Sequence, residues 1–246
     1  MSRWLILVPA RFGSSRFPGK PLAKIHNKAM IHYIVDNCRE TAMDYAIVTD
    51  NQEIEDAVKN YGGQCVRVDD DVPSGSERIA LAYERFFKQK NYELVINLQG
   101  DEPLMKSEMI LKIASEHAQT NHDIYTAIKK RKSTEVDFLN PNVVKAIVSK
   151  DKKCLYFTRT SSPFNREQTE YDWYQHIGVY SYKPESLLKF VALEQSPLEK
   201  LESLEQLRAI ENDLTIGASY LDLPIMGVDT PEDITKLEGV LSGKKI

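Results

Sequence analysis

Cations lie among small residues directly after a short apolar run near the amino terminus. The run WLILV (residues 4–8) is followed by PARFGSSRFPGKPL, which contains Arg11, Arg16 and Lys20. No Asp or Glu occurs from residue 11 to residue 35, although the whole chain has a formal net charge of -4. Small residues let backbone N–H groups approach phosphate oxygens, and cations neutralise them. The segment predicts a polyphosphate site, with a solvated basic loop as the alternative.

Two aspartates are predicted to lie beside the ends of secondary-structure elements. Asp101 follows a predicted buried strand in QGDEP, and Asp229 precedes a predicted helix in GVDTPED. Mg²⁺ favours one or two carboxylates together with phosphate oxygens and water. The pair therefore predicts a magnesium site, although Asp229 has an equally good explanation as a residue that helps to cap the helix.

The remaining polar motifs carry weaker signals. There is no GxSxG motif and no cysteine in a cationic setting, so no activated nucleophile is predicted. His176 opens HIGVYSY, where a strand places His176, Gly178, Tyr180 and Tyr182 on one face. That face can be a core surface or the floor of a polar pocket, and composition does not separate the two. The acidic run 69–71 is predicted to lie in a solvated turn. The other histidines are predicted to lie on the surface or in loops: His26, His32, His117 and His122.

Alternating apolar strands and amphipathic helices are predicted to position these residues. Up to residue 68 the pattern is strand, loop, helix, strand, helix, strand, which predicts a right-handed, doubly wound parallel sheet. Gly62 and Gly63 are expected to end the second helix. The predicted strands are 4–8, 46–49, 64–68, 94–98 and 124–128, and the predicted helices are 30–39, 53–61, 74–88 and 107–118.

From Lys129 onward the hydrophobic period changes. Segments 143–148, 154–158 and 176–182 alternate apolar and polar residues, as antiparallel strands do. We interpret residues from about 130 to 200 as an inserted β-rich lobe with substrate contacts and a dimer interface, and 160–172 as a loop over the site. A helix at 199–212, a strand at 214–218 and a final helix capped by Thr230 complete the single domain.

Bulk composition excludes several classes of protein. The 246 residues are 28% charged and 42% hydrophobic, and their net acidity argues against nucleic-acid binding through bulk charge. Three widely spaced cysteines without a CxxC motif predict neither disulfides nor a zinc site. No apolar run approaches 18 residues, so we expect no membrane partner and a cytoplasmic location.

A series of motifs along almost the whole chain then resembles one known family. PARFGSSRFPGKPL, PSGSER, NLQGDEPL, FLNPNVVK, YFTR, HIGVYSY, SPLEKLESLEQLR and GVDTPEDI occur in the order typical of 3-deoxy-manno-octulosonate (Kdo) cytidylyltransferases, or CMP-Kdo synthetases. The resemblance runs from about residue 4 to residue 238, and CMP-sialic acid synthetases share the first motif more loosely. It implies a homodimer and a Rossmann-like, doubly wound, mostly parallel sheet of the nucleotide-diphospho-sugar transferase type, with an inserted β-rich lobe for dimerisation and substrate. The implied reaction converts CTP and Kdo into CMP-Kdo and pyrophosphate for lipopolysaccharide biosynthesis.

The resemblance also implies a role for individual residues. Arg11 and Lys20 would hold the triphosphate and take part in catalysis, and Arg78 would read the cytosine edge with Ser74 nearby. Asp101 and Asp229 would hold Mg²⁺ as the cofactor. The other nucleotide-binding residues would be Ala10, Gly13, Ser14, Ser15 and Arg16. The sugar-acid pocket would contain Gln99, Arg159, His176, Tyr180, Glu205 and Gln206, with Arg159 facing the substrate carboxylate.

Departures from the family pattern leave alternatives open. The segment TSSPF (160–164) replaces a more apolar one beside the sugar-acid pocket, so 8-amino-3,8-dideoxy-manno-octulosonate is an alternative substrate. A metal-dependent glycosyltransferase is a second alternative, which a loop suited to a triphosphate argues against. A non-catalytic nucleotide sensor is a third, which the presence of Asp101 and Asp229 argues against.

Overall fold

The computed structural model describes residues 3–13, 17–222, 227–228 and 230–242. The chain divides into two compact units. The first unit comprises Met1–Leu111 and Pro224–Ile246, and the second unit comprises Lys112–Leu223. The second unit therefore extends beyond both ends of the lobe expected at about residues 130–200, and that lobe's role in dimerisation stays a prediction.

The first unit contains a parallel sheet. Its four strands lie in the order β6-β1-β4-β5, and every neighbouring pair is parallel. Leu5 to Val8 in the middle of β1 are fully buried, as expected for a strand covered on both faces. The predicted strands 4–8, 46–49, 64–68 and 94–98 are confirmed with small shifts at their ends. The first six strands are β1 (Trp4–Ala10), β2 (Lys24–Ile25), β3 (Lys28–Ala29), β4 (Asp44–Thr49), β5 (Cys65–Arg67) and β6 (Leu94–Asn97).

Four helices follow these strands in the chain: α1 (Met30–Glu40), α2 (Gln52–Asn60), α3 (Gly75–Ala82) and α4 (Ser107–Ala118). Asn51 caps α2 by accepting from the amide of Ile54, and Gly62 ends it with a left-handed φ of 76°. The predicted glycine stop is thus confirmed at Gly62. The predicted helix 74–88 is α-helical only to Ala82 and continues as a π-helical turn at Tyr83–Phe87.

The second unit contains β7 (Ile124–Lys132), β8 (Lys145–Val148), β9 (Cys154–Thr158), β10 (Asp172–Tyr182) and β11 (Ile216–Tyr220). Strand β7 pairs parallel with β11 and antiparallel with β10, and β8 pairs antiparallel with both β10 and β9. The predicted change to antiparallel strands is therefore confirmed. The predicted strand 124–128 is confirmed and extends further, to Lys132. Pairing with β10 continues β7 to Lys132, where Asp172 lies 2.5 Å from the Nζ atom of Lys130.

The prediction of one continuous helix over 199–212 was also wrong. The second unit contains α5 (Pro184–Ala192), α6 (Pro197–Glu202) and α7 (Gln206–Glu211). Ser203 separates α6 from α7 by adopting a left-handed φ of 52°. A buried ion pair between Arg208 and Glu199, with 2.7 Å between Nη2 and Oε1, still joins the two helices. Apolar spacing did not reveal the break because Leu201, Leu204 and Leu207 keep helical spacing across it, although Leu201 is 80% exposed in the structure.

His117 corrects another prediction, since it is 1% exposed and not on the surface. Its Nδ1 atom lies 2.8 Å from the Ser181 hydroxyl, and its Nε2 atom lies 3.0 Å from the carbonyl oxygen of His122. Burial lowers the pKa of His117 to about 4. The imidazole is therefore neutral at pH 7 and belongs to the core of the second unit.

The last helix, α8 (Pro231–Leu241), belongs to the first unit. Thr230 and Asp233 form a reciprocal capping box, which confirms Thr230 as the N-cap. Leu237 and Val228 are buried in one apolar cluster with Ile25 and Met30. Within the described ranges, no helix combines the length and the apolar character needed to cross a bilayer.

All three cysteines are free thiols. Cys38 and Cys154 are buried and Cys65 is partly exposed. Burial is the main cause that raises the pKa of each thiol to about 12. The cysteines are therefore protonated near neutral pH.

Candidate active site

A cavity of about 310 Å³ lies in the first unit at the carboxyl ends of β1 and β6. Because these strands are parallel neighbours, the residues that follow them reach the same edge of the sheet. The cavity brings together six predicted site residues, and Pro9, Pro21, Gly75 and Gly100 complete its lining. The six are Ala10, Arg11, Gly13, Lys20, Gln99 and Asp101.

Two glycines shape this cavity. A Cβ atom at Gly100 would lie 3.1 Å from the carbonyl oxygen of Pro9, so a larger residue would push the two chain segments apart by a few tenths of an ångström. Gly19 has a left-handed φ of 69° and donates its amide to the carbonyl of Phe12 at 2.9 Å. This turn starts the short 3₁₀ helix Lys20–Leu22 and brings Lys20 to the cavity.

Lys20 and Asp101 form an ion pair within the cavity, with 2.5 Å between Nζ and Oδ2. The Lys20 side chain is 13% exposed and that of Asp101 is 34% exposed, so both can be reached from solvent. A cation and a carboxylate at one strand edge match the requirements of a polyphosphate with a divalent ion.

The donor set fits a magnesium ion that is held partly by substrate. Asp101 offers the carboxylate oxygens that Mg²⁺ prefers, and its carbonyl oxygen accepts the amide of Val228 at 3.2 Å. Val228 precedes Asp229 in the sequence. No group of three or more potential metal-binding side chains occurs in the part of the chain that the structure describes, so phosphate oxygens and water would complete the coordination. Asp229 itself lies outside the described residues, as do Ser14, Ser15 and Arg16.

Glu102 is a neighbour of Asp101 to which the sequence reasoning gave no role. Loss of hydration, together with the charge of Asp101, raises the pKa of Glu102 to about 8. The QGDEP segment therefore places beside Asp101 a carboxyl group that keeps its proton to a higher pH than an ordinary glutamate does. The adjacent acidic pair was the only signal for this in the sequence.

Ser74 and Arg78 lie at the start of α3 and are not among the described residues that line the cavity. The Ser74 hydroxyl caps α3 by accepting from the amides of Ser76 and Glu77. Arg78 is 2% exposed. Its Nη2 atom lies 2.8 Å from Oδ2 of Asp50, and its Nη1 atom donates to the carbonyl of Val68.

Burial is the main cause that lowers the pKa of the Arg78 guanidinium, and the carboxylate of Asp50 partly compensates for it. The guanidinium thus ties the loops after β4 and β5 to α3. Asp50 is a supporting residue that the sequence reasoning did not single out. A role for Arg78 in reading cytosine, and for Ser74 in nucleotide binding, stays a prediction.

One face of β10 carries three aromatic side chains. Two of them, His176 and Tyr180, are implied for the sugar-acid pocket, and the third is Tyr182. The ring of Tyr180 lies 5.5 Å from that of His176 and 6.0 Å from that of Tyr182. The Nε2 atom of His176 lies 3.0 Å from the Thr126 hydroxyl, and burial lowers the pKa of His176 to about 3. The predicted common face is confirmed, and His176 is a neutral imidazole within it.

Glu205 and Gln206 meet Tyr180 and Tyr182 around a narrow gap that has no room for a water molecule. Gln206 is 6% exposed, and its buried amide nitrogen has no hydrogen-bond partner among the described residues. The fold therefore assembles Tyr180, Glu205 and Gln206 as the resemblance implies. Their contact with a sugar acid stays a prediction.

Arg159 is placed differently from what its implied role suggests. Its guanidinium donates to three backbone carbonyls, at 2.7 Å to Glu202, 3.0 Å to Pro141 and 3.2 Å to Ser203. Three of its five N–H groups are therefore used within the second unit. A contact with the substrate carboxylate stays a prediction and would have to use the other two.

Comparison with known proteins identifies the family. The family model for cytidylyltransferases matches residues 5–216. The 3-deoxy-manno-octulosonate cytidylyltransferase of Thermodesulfovibrio yellowstonii is 40% identical, with 97% of this chain and 98% of the relative covered. That of Afipia carboxidovorans is 41% identical, with 97% and 96% covered. The chain belongs to the 3-deoxy-manno-octulosonate cytidylyltransferase family.

Solved structures agree with this family. A CMP:2-keto-3-deoxy-manno-octonic acid synthetase solved with CTP superposes with a TM-score of 0.91 at 29% identity, and 98% of this chain and 99% of that chain are covered. A 4-diphosphocytidyl-2C-methyl-D-erythritol synthase from Anaerococcus prevotii superposes with a TM-score of 0.63 at 17% identity, over 98% and 99% of the two chains, and shares the fold alone. The predicted family and the mostly parallel α/β fold are confirmed, and the glycosyltransferase alternative is not favoured.

Proposed function

We propose that this enzyme transfers the cytidylyl group of CTP to Kdo and releases pyrophosphate. The observation that carries the proposal is the cavity at the ends of β1 and β6, which is lined by Arg11, Lys20 and Asp101. The chain that contains it belongs to the Kdo cytidylyltransferase family. A neutral nucleoside would have no use for the two cations, whereas a triphosphate requires them.

In the proposed reaction the anomeric hydroxyl of Kdo attacks the α-phosphorus of CTP in line with the leaving group. A bond forms between the sugar oxygen and the α-phosphorus, and the bond from that phosphorus to the bridging oxygen breaks. Pyrophosphate leaves with the electron pair, and the hydroxyl proton passes to solvent. Arg11 and Lys20 would bind the phosphates and neutralise the charge that grows on the leaving group. No covalent intermediate with the protein is required.

Asp101 and Asp229 would hold Mg²⁺, which supplies charge neutralisation on the phosphates and lowers the pKa of the attacking hydroxyl. Asp101 also pairs with Lys20, so the carboxylate keeps the ammonium group at the cavity. The proposed cofactor is supported by the carboxylate chemistry of this wall and by the resemblance to the family.

Kdo is the proposed acceptor, bound by the residues assembled on the second unit. Gln206 supports this, because its buried amide nitrogen has no hydrogen-bond partner among the described residues, and a sugar oxygen could accept from it if the side chains around the narrow gap moved apart. The 8-amino derivative differs from Kdo only at the distal end of the sugar, and it remains the second substrate to test.

A homodimer is proposed from the resemblance and from exposed apolar residues of the second unit. Val136, Leu139 and Phe164 are 83%, 72% and 89% exposed, which is unusual for large apolar side chains. A second copy of the chain would cover them. Light scattering on the purified protein would show a mass near 28.1 kDa if this proposal were wrong.

We also propose a cytoplasmic location because the reaction consumes CTP.

The experiment that tests the function measures pyrophosphate release from CTP and Mg²⁺ in parallel reactions with Kdo, 8-amino-Kdo and N-acetylneuraminate. Release with Kdo that exceeds release with the other two acids is the expected result. UTP in place of CTP and omission of the acid serve as controls. No release with any of the three acids would contradict the proposed function.

A further inference from the structure

Arg159 and Glu202 bond each other's backbone within the second unit. The carboxylate of Glu202 accepts the Arg159 amide at 2.9 Å and the Thr158 hydroxyl at 2.7 Å. The Arg159 guanidinium in turn donates to the Glu202 and Ser203 carbonyls at 2.7 and 3.2 Å. We call this reciprocal arrangement the Arg159–Glu202 clasp. The two side chains form no ion pair with each other, so their arrangement serves the backbone.

The clasp holds the break between α6 and α7. The last carbonyls of a helix lack partners within the helix, and here two of them accept from Arg159. Ser203 follows with its left-handed φ of 52°, a conformation that costs a non-glycine residue free energy. The guanidinium fixes the carbonyls on either side of this residue. The buried Arg208–Glu199 pair and the bond from the Leu204 amide to the Glu199 carbonyl also hold the break, and the clasp adds the bonds that come from the end of β9.

The strand side of the clasp is rigid. Lys145 is completely buried, and its Nζ atom donates to the carbonyl oxygens of Asn140 at 2.8 Å and Arg159 at 3.1 Å. The loop carbonyl of Pro141 accepts from Nη1 of Arg159 at 3.0 Å. The end of β9 is therefore a fixed support against which the helix break is held.

Glu205 and Gln206 come directly after the break, and the conformation of Ser203 decides where they point. If the break became helical, residues 205 and 206 would rotate with the chain, because each residue of a helix advances by about 100°. Their contact with Tyr180 and Tyr182 around the narrow gap would then be lost. The clasp thus controls the two residues that the family resemblance assigns to the sugar acid.

We propose that Arg159 is a positioning residue, and that the Arg159–Glu202 clasp sets the sugar-acid affinity by holding the α6–α7 break that presents Glu205 and Gln206. This inference rests on the proposed function. It differs from the direct role implied by the resemblance, because it gives Glu202, which no motif argument singled out, the same importance as Arg159.

Steady-state kinetics of Arg159→Ala, Glu202→Ala and the double variant test the clasp. We expect each single change to raise the KM for Kdo about tenfold, while the KM for CTP and the kcat stay within about twofold. The KM for Kdo of the double variant should be no higher than that of the single variant with the higher KM, because both changes remove the same clasp. Glu202→Gln keeps one acceptor oxygen and should lie between Glu202→Ala and the wild type. Lys200→Ala removes an exposed cation from α6 and serves as the matched control.

Hydrogen exchange of the segment 197–211 gives a readout that does not depend on substrate. Faster exchange there in both alanine variants, and not in Lys200→Ala, is expected. A wild-type KM for Kdo in Glu202→Ala, or effects of the two changes that multiply, would overturn the clasp and favour direct contact by Arg159. If the alanine variants do not fold, Arg159→Lys and Glu202→Gln replace them with the same criteria. Absence of product from the wild-type enzyme would instead refute the proposed function.

Discussion

Charged side chains have different surroundings in the two units. In the first unit, Arg11 and Lys20 line a cavity, and the partner of Lys20 is the partly exposed Asp101. In the second unit, Arg159 is directed to backbone carbonyls, and Arg208 forms a buried bidentate pair with Glu199. The Lys20–Asp101 pair is partly exposed at the cavity, whereas Arg159 and Arg208 are bonded within the second unit.

The difference shows when a residue type indicates a role. A cation that follows a buried parallel strand lies at the sheet edge where ligands bind, so its type and position indicate its chemistry. A cation in an antiparallel lobe has many possible carbonyl and carboxylate partners. For Arg159, residue type and sequence position do not distinguish a ligand-binding group from a structural one.

The largest expected effect is that of Asp101→Asn in the first unit. This change removes the anion from the cavity with almost no change in volume, so we expect kcat to fall about 10³-fold, or about 4 kcal/mol, with the thermal unfolding temperature unchanged. Asp70→Asn, which affects an exposed pair with Arg85, is the matched control. A kcat near that of the wild type would show that the charges of the cavity are not available for catalysis.

The corresponding change in the second unit is Arg208→Leu. It leaves Glu199 buried without its charged partner and should lower the free energy of unfolding by about 3 kcal/mol in urea titrations. Lys59→Leu in the first unit breaks an exposed ion pair with Glu55 and should cost about 0.5 kcal/mol. Equal losses of unfolding free energy in the two variants would show that the buried and the exposed ion pair contribute equally to stability.

Acid should destabilise the second unit through its buried histidines. The pKa of His117 is lowered to about 4 in the fold, so between that value and about 6.5 the unfolded chain binds more protons. The stability due to neutral His117 is complete above pH 6.5 and is lost as the pH falls toward 4. His117→Gln should therefore reduce the loss of unfolding free energy between pH 7 and pH 5 by on the order of 1–2 kcal/mol.

Urea unfolding at pH 5, 6 and 7 measures this effect. The control is His26→Gln, which changes an exposed histidine of the first unit. His176, whose pKa is lowered to about 3, should cause part of the remaining acid sensitivity. An unaltered pH dependence in His117→Gln would contradict the prediction.

The smallest expected effect concerns Arg78, which is bonded within the first unit and is also predicted to contact the substrate. If the guanidinium also reads the base, Arg78→Ala should reduce the preference for CTP over UTP in kcat/KM about tenfold, or about 1.4 kcal/mol. Asp50→Asn keeps the guanidinium and removes its charged partner, so it should preserve most of that preference. Lower stability with unchanged preference in Arg78→Ala would make Arg78 a structural residue only.

Sequence reasoning predicted best where local pattern and fold agree. The cavity residues from Ala10 to Asp101 were predictable because parallel strands bring their carboxyl ends to one edge. The helix break at Ser203 was not, because the apolar spacing of α6 and α7 continues across it and the bonds that hold it come from β9. His117 was predicted on the surface because its partners, Ser181 and His122, meet it only through tertiary packing. The roles of Ser74, Arg78 and Arg159 depend on partners that are distant in sequence or on the substrate.

The raised thiol pKa values have a practical consequence for experiments on this enzyme. A thiol with a pKa of about 12 has almost no thiolate at pH 7.5, so Cys38, Cys65 and Cys154 should react slowly with maleimides. A cysteine introduced at the exposed position of Phe86 in the first unit could then carry a fluorophore without removal of the native cysteines. Because the native thiols react slowly, the introduced cysteine can be labelled selectively, and the label can be used to follow assembly and substrate binding in real time.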